Sequence, residues 1–354
     1  MYRRLILLLL TLLISYSAYA NVGFRQLQIN ENSNRPLDIA LWYPTTDTGK
    51  IERIGENAVF HGIPALRNAK PTARQHPLLL LSHGYGGNWR NLNWLAQGMA
   101  SQGYIVAAVD HPGTTTRNKE EVAAQQLWER PRDLIAMLDY LSDTPAIAGA
   151  VDPERIAAVG HSLGGWTVME LAGAQFSAPR FLKDCETHPA LGACKLKHVL
   201  GIDKPESLAP LAASQRDVRI KAVISLDLGL ARGFTPESLA QVSVPVLVMG
   251  AQADSDDVPA RLESGYLFTA LAQGDRHLVS VTGATHFSFM QECKLGAVAM
   301  IEAAEPGEGI VCRDGGQLSR QAIHQQLFTQ ISQFLNQSLN DSPQHGENRQ
   351  DSSR

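Results

Sequence analysis

Aromatic residues are scarce, at 6% of the chain, and no basic cluster is interleaved with them. The formal net charge is −4. Both features argue against nucleic acid or an anionic membrane surface as a partner, because each needs concentrated positive charge. The apolar run Leu5 to Ile14 is too short for a comfortable bilayer span, which needs about 20 residues. Cysteines number only four, and none forms a Cys-x-x-Cys pair, so a zinc site is not indicated. No internal repeat is present, which excludes a solenoid or propeller.

What the chain does have begins at its N-terminus. Arg3 and Arg4 precede the apolar run, and Ala18-Tyr19-Ala20 follows it as a small-x-small site. This reads as a secretory signal peptide over residues 1–20, cut after Ala20, with a periplasmic or secreted mature protein. No cysteine follows the cut, so a lipid anchor is not expected. In an oxidising compartment the four cysteines, Cys185, Cys194, Cys293 and Cys312, are expected to form disulfides. Three connectivities are open. The sequence-local one pairs Cys185 with Cys194 and Cys293 with Cys312, each contributing about 2–4 kcal/mol.

The 354 residues are 44% hydrophobic and 19% charged, which suits a large globular unit. Strand-like segments are Arg25 to Ile29, Leu37 to Tyr43, Leu78 to Leu81, Tyr104 to Val109, Ile156 to Val159, Ile220 to Leu226, Val244 to Met249 and Leu278 to Val281. Helical patterns fall at Asn91 to Gln102, Ala123 to Leu141, Trp166 to Ala172 and Ser319 to Leu335. Residues 45–76 read as irregular. Continuous apolar strands alternating with helices predict an α/β fold, a doubly wound and mostly parallel sheet covered on both faces. The domain is expected over residues 21–337. An insertion at about 176–218 is a candidate lid, and 338–354 reads as a polar, disordered tail.

Gly160-His161-Ser162-Leu163-Gly164 lies between the strand ending at Val159 and the helix at Trp166. A Gly-x-Ser-x-Gly run in that setting predicts a sharp turn that exposes a nucleophilic hydroxyl. Such a serine needs a base and an acid to orient it. Of the eleven histidines, His286 is the candidate base, since it follows the last strand in a small-residue loop, Gly283-Ala284-Thr285-His286. His83, His111 and His161 read as structural. The acid is expected after a strand and before His286. Asp254 is preferred on loop context, with Asp227 as the alternative. Oxyanion donors are expected from the Leu163 N–H and the Tyr85 N–H, the latter in Ser82-His83-Gly84-Tyr85-Gly86-Gly87.

Together these motifs resemble the α/β-hydrolase superfamily. Leu41-Trp42-Tyr43-Pro44 and the stretch Pro77 to Gly84 are similar to the bacterial predicted dienelactone hydrolase group, which is related to platelet-activating-factor acetylhydrolases and cutinase-like polyester hydrolases. The resemblance covers roughly residues 22–337. It implies the acid at Asp254 if the chain follows the polyester hydrolases, and at Asp227 if it follows the acetylhydrolases. True dienelactone hydrolases use cysteine where Ser162 stands. The expected activity is an exported serine hydrolase acting on a small-molecule or lipid-like carboxylic ester, with no metal or organic cofactor. The alternatives are a secreted peptidase or amidase on the same fold and a non-catalytic binding protein.

Overall fold

The computed structural model describes residues 21–340 except Gln317. The expected signal segment and residues 341–354 of the expected tail lie outside the described residues. Among the described residues, ten strands run β1 (Asn21–Ile29), β2 (Leu37–Thr45), β3 (Glu52–Ile54), β4 (Ile63–Arg67), β5 (Gln75–Ser82), β6 (Ile105–Asp110), β7 (Ala150–His161), β8 (Ala222–Leu226), β9 (Val246–Ala251) and β10 (Arg276–Val281). They form one sheet in the order β10-β9-β8-β7-β5-β6-β2-β1-β4-β3. From β10 to β6 every pairing is parallel. β2 pairs antiparallel with both β6 and β1. The sheet is therefore mixed at one side, and its parallel part carries the strands that flank Gly160–Gly164.

Helices α1 (Asn93–Ser101), α2 (Glu121–Ala124), α3 (Glu129–Asp143), α4 (Leu163–Ala172), α5 (Ala178–Thr187), α6 (Gly192–Lys195), α7 (Leu208–Ala212), α8 (Pro236–Leu239), α9 (Ser264–Ala270), α10 (Ala297–Ala304) and α11 (Arg320–Asn340) fill the connections. Successive strand residues point to opposite faces, so β5 feeds two cores. Leu78 and Leu80 pack with Leu134 and Leu138 of α3 and Trp166 and Met169 of α4. Leu79 and Leu81 pack with Leu95 and Met99 of α1 and Leu327 and Ile331 of α11. A sheet buried on both faces explains why its central strands read as unbroken apolar runs.

Three expectations change. Residues 45–76 are not irregular throughout: β3 and β4 form a short antiparallel hairpin there. Strands this short, with Pro64 in one of them, leave little apolar periodicity to read. The helix expected over Ala123 to Leu141 is broken into α2 and α3. Pro131 has no N–H, and its ring would collide with the Leu127 carbonyl in a continuous helix. α11 continues to Asn340, so residues 338–340 belong to a helix rather than to the tail.

Residues 176–218 hold α5, α6 and α7. Phe176 and Phe181 anchor this stretch in the core against Trp166 and Phe234. Asp184 of α5 pairs with Arg232 at 2.6 Å, and the Gly192 N–H donates to the Asp257 carbonyl at 2.8 Å. The stretch is thus tied to the loops that follow β8 and β9. The cysteines pair locally, Cys185 with Cys194 and Cys293 with Cys312. No described helix is long and apolar enough to cross a membrane.

Leu80 is fully buried in a central strand, whereas Leu295 is fully exposed. Leu80→Ala should lower unfolding stability by about 2–5 kcal/mol, as large-to-small core changes do. Leu295→Ala should stay within about 0.5 kcal/mol of the parent. Urea denaturation measures both.

Candidate active site

Ser162 sits between the last residue of β7 and the first of α4, with φ 56° and ψ −121°. A non-glycine residue holds such a backbone only when its surroundings enforce it. Here the Ser162 N–H donates to the Leu226 carbonyl at 2.9 Å, locking the turn to β8. The flanking glycines have a steric reason. A Cβ on Gly160 would lie 1.9 Å from the Gly164 carbonyl oxygen, and one on Gly164 would lie 2.0 Å from the Ser82 carbonyl oxygen. Neither contact is possible, so no residue but glycine lets α4 approach β5 and β7 this closely.

His286 opens a 3₁₀ turn, His286–Phe289, beyond β10. Its Nε2 is 3.0 Å from Ser162 Oγ, and its Nδ1 is 2.6 Å from Asp227 Oδ2. A carboxylate accepts only, so Nδ1 carries the proton and the Nε2 lone pair faces the serine hydroxyl. The histidine loop is held from several sides. His161 Nε2–H donates to the His286 carbonyl at 2.8 Å. Thr285 caps the turn and donates to the Arg313 carbonyl at 2.9 Å. Arg313 immediately follows Cys312, so the Cys293–Cys312 bridge returns the chain to this loop. Burial holds His161 down at about 3, with the neighbouring His286 adding to the effect. It is therefore a neutral donor at any working pH.

The structure sets Asp227, not the preferred Asp254, against His286. Asp227 directly follows β8 and is almost wholly buried, with φ 45°. Its N–H donates to the Met249 carbonyl at 2.7 Å, and its Oδ1 accepts the Ala251 N–H at 2.8 Å. Asp254 lies beyond the end of β9, is exposed, and accepts the Ala260 N–H at 2.8 Å. The physical reason is strand order. β8 adjoins β7, whereas β9 lies one strand further from Ser162.

The N–H groups of Tyr85 and Leu163 have no acceptor among the described residues. Leu163 is the first residue of α4, where N–H groups lack intrahelical partners. A Cβ on Gly84 would lie 3.0 Å from Ser162 Cβ, so the loop carrying Tyr85 abuts the serine. Tyr85 itself is partly exposed. The arrangement offers a hydroxyl, an oriented imidazole and a buried carboxylate in one line, beside two N–H groups that have no acceptor among the described residues. Among the described residues no group of three or more His, Cys, Asp or Glu side chains could hold a metal ion.

Sequence reading passed over the buried charges around this site: Arg130, Asp133, Glu170 and Glu263. One signal was available. Arg130 sits at helical spacing on the stripe Leu127, Leu134, Leu138 and Leu141, and a charge on an apolar stripe has to be satisfied inside.

Comparison with known proteins shows what the chain is similar to. Residues 42–179 match the model of the PET hydrolase-like family. A bis(hydroxyethyl) terephthalate hydrolase of Streptomyces coelicolor is 25% identical over 210 residues, 59% of this chain and 50% of that one. A cutinase of Thermobifida alba is 35% identical over 96 residues, 27% of this chain and 29% of its own. The chain thus spans half or less of the length of these curated relatives. A solved ferulic acid esterase from Streptomyces cinnamoneus superposes with a TM-score of 0.63 at 20% identity, covering 92% of each chain, which speaks for the fold. The fold is of the α/β-hydrolase type, and residues 42–179 carry the likeness to the PET hydrolase-like family.

Glu263 accepts the Ala231 N–H at 2.8 Å behind the Asp227 loop, and burial pushes its carboxyl up to about 8. A carboxyl raised in the folded state favours folding most below its unfolded value of about 4.5, and that advantage drains away as pH climbs to about 8. Glu263→Gln should remove this slope. The variant's urea midpoint should gain on the parent's between pH 5 and 8, with no further gain above 8; a gap independent of pH would contradict it.

Proposed function

We propose that this α/β hydrolase cleaves carboxylic esters through an acyl-enzyme on Ser162, outside the cytoplasm. The observation that carries the reading is the unbroken line from Ser162 Oγ to His286 Nε2, at 3.0 Å, and from His286 Nδ1 to Asp227 Oδ2, at 2.6 Å. Ser162 Oγ attacks the ester carbonyl while His286 Nε2 takes its proton. Asp227 fixes the tautomer of His286 and stabilises the imidazolium that forms. The carbonyl oxygen, now an oxyanion, accepts from the N–H groups of Leu163 and Tyr85. His286 then passes the proton to the leaving alkoxide oxygen, and the alcohol departs. A water molecule, deprotonated by the same imidazole, attacks the acyl-enzyme and releases the acid.

The relatives are named for a terephthalate ester, as cutinases, and, for the structural neighbour, as a ferulic acid esterase. A carboxylic ester is the bond these names share, which supports ester over amide as the substrate class. The two disulfides support an oxidising compartment, in keeping with the signal-like segment at residues 1–20.

Release of p-nitrophenol from p-nitrophenyl butyrate tests the reading, with bis(2-hydroxyethyl) terephthalate as a second substrate. Ser162→Ala should lose at least about 10³-fold in kcat. Asp227→Asn should lose on the order of 10⁴-fold, since the imidazole is then held in the wrong tautomer, while Asp254→Asn should stay within about threefold of the parent. A larger loss at Asp254 would overturn the assignment of the acid. Near-parental activity in Ser162→Ala would overturn the reaction.

A further inference from the structure

The two proposed oxyanion donors come from separate pieces of chain. Leu163 begins α4, whereas Tyr85 lies in the loop after β5. Backbone N–H groups stabilise an oxyanion only when both reach the same point, so something has to set the spacing between these pieces. One buried side chain touches both. Arg130, near the start of α3, is 1% exposed. Its Nε donates to Thr167 Oγ1 at 3.0 Å, and the Thr167 hydroxyl donates in turn to the Leu163 carbonyl at 2.9 Å. Its Nη2 donates to the His83 carbonyl and, at 3.2 Å, to Ser82 Oγ. Its Nη1 donates to Thr114 Oγ1, and the Thr114 carbonyl accepts the Gly86 N–H at 2.8 Å.

The bonds around it have one consistent direction. His83 Nδ1–H donates to the Gly84 carbonyl at 2.7 Å, leaving His83 Nε2 to accept the His111 N–H at 3.0 Å. The Gly84 carbonyl shares a peptide plane with the Tyr85 N–H, and in a trans peptide the two point opposite ways. Holding that carbonyl therefore aims the Tyr85 donor. Behind Arg130, Ser82 Oγ–H donates to His111 Nε2 at 2.9 Å, and His111 Nδ1–H donates to Asp133 Oδ2 at 2.9 Å. Arg35 closes the chain with bonds of 2.6 and 2.8 Å to Asp133. Burial, with Arg130 and its neighbours adding positive charge, holds His83 and His111 neutral, which this chain of donors requires.

We propose that Arg130 is a positioning residue for the proposed ester hydrolysis: its guanidinium spans from Thr167 to His83 and so fixes the separation of the Leu163 and Tyr85 donors. A planar fork with several fixed donors does this, and a lysine ammonium does not. The inference rests on the reaction proposed above, so the parent enzyme and Ser162→Ala are measured beside the variants.

The test combines p-nitrophenyl butyrate turnover with inhibition by phenylboronic acid, whose adduct on serine mimics the tetrahedral intermediate. Arg130→Lys and Thr167→Val should each lower kcat by about 10- to 100-fold, the range that a misplacement near 1 Å costs. KM should stay within about threefold, because the donors act on the transition state. The boronate inhibition constant should rise in step with the loss in kcat. Thr167→Ser keeps the hydroxyl and should retain at least about half of the parental kcat, which a role in packing alone does not predict. Thr167→Val keeps the side-chain volume, so it carries the test if Arg130→Lys fails to fold. If Thr167→Val and any folded Arg130→Lys keep kcat within about twofold, or lose it with boronate affinity intact, the clamp is wrong while the ester reaction stands. An inactive parent, or an active Ser162→Ala, brings down the reaction and the clamp with it.

Discussion

Everything at this site depends on how closely backbone can approach backbone around Ser162. Three glycines make that approach possible. A methyl group has no room on Gly160, which meets the Gly164 carbonyl, or on Gly164, which meets the Ser82 carbonyl, and a Cβ on Gly165 would lie 2.7 Å from Leu228 Cβ and 2.8 Å from Ser225 Oγ. The serine is thereby forced to a positive φ and its N–H is drawn onto β8. A side chain at any of the three would push α4 off the sheet. That would move the Leu163 N–H away from the Gly84–Tyr85 loop, and Ser162 away from His286.

Around this contact the protein places polar groups that burial would otherwise penalise. Arg130, Asp133, His83 and His111 are fully enclosed, and each makes the bonds its protonation state allows. A buried polar network of this kind is costly when broken and rigid when complete. On the other side of the serine, His161 and the cap of the 3₁₀ turn hold the loop of His286. Ser162 and the His286 imidazole are thus both set by backbone held from beneath. The loop chemistry that the sequence displays stands on a layer of buried charge that it displays only faintly.

Legibility in the sequence followed the range of the interaction. The central strands were legible because a sheet covered on both faces demands unbroken apolar runs. The turn at Ser162 was legible because a strained turn between strand and helix demands glycine at fixed spacing. The edge hairpin of β3 and β4 was not, since a three-residue strand carries no period. The break between α2 and α3 was marked by Pro131, a local signal that the apolar stripe outweighed. Which aspartate meets His286 turned on neighbour order in the sheet, which no local pattern encodes. Asp227 and Asp254 both follow strands and both precede His286, and they part only because β8 lies beside β7.

The sequence by itself determined the fold class, the turn at Ser162 and the loop of His286. Each is a local matter of period or backbone sterics. The tertiary structure alone decided that Asp227 stands behind His286 and that Arg130 reaches both Thr167 and His83. It alone decided that Glu263 is buried in an environment that keeps its proton. Those are encounters between residues far apart in the chain, and packing order, not sequence neighbourhood, brings them within hydrogen-bonding range.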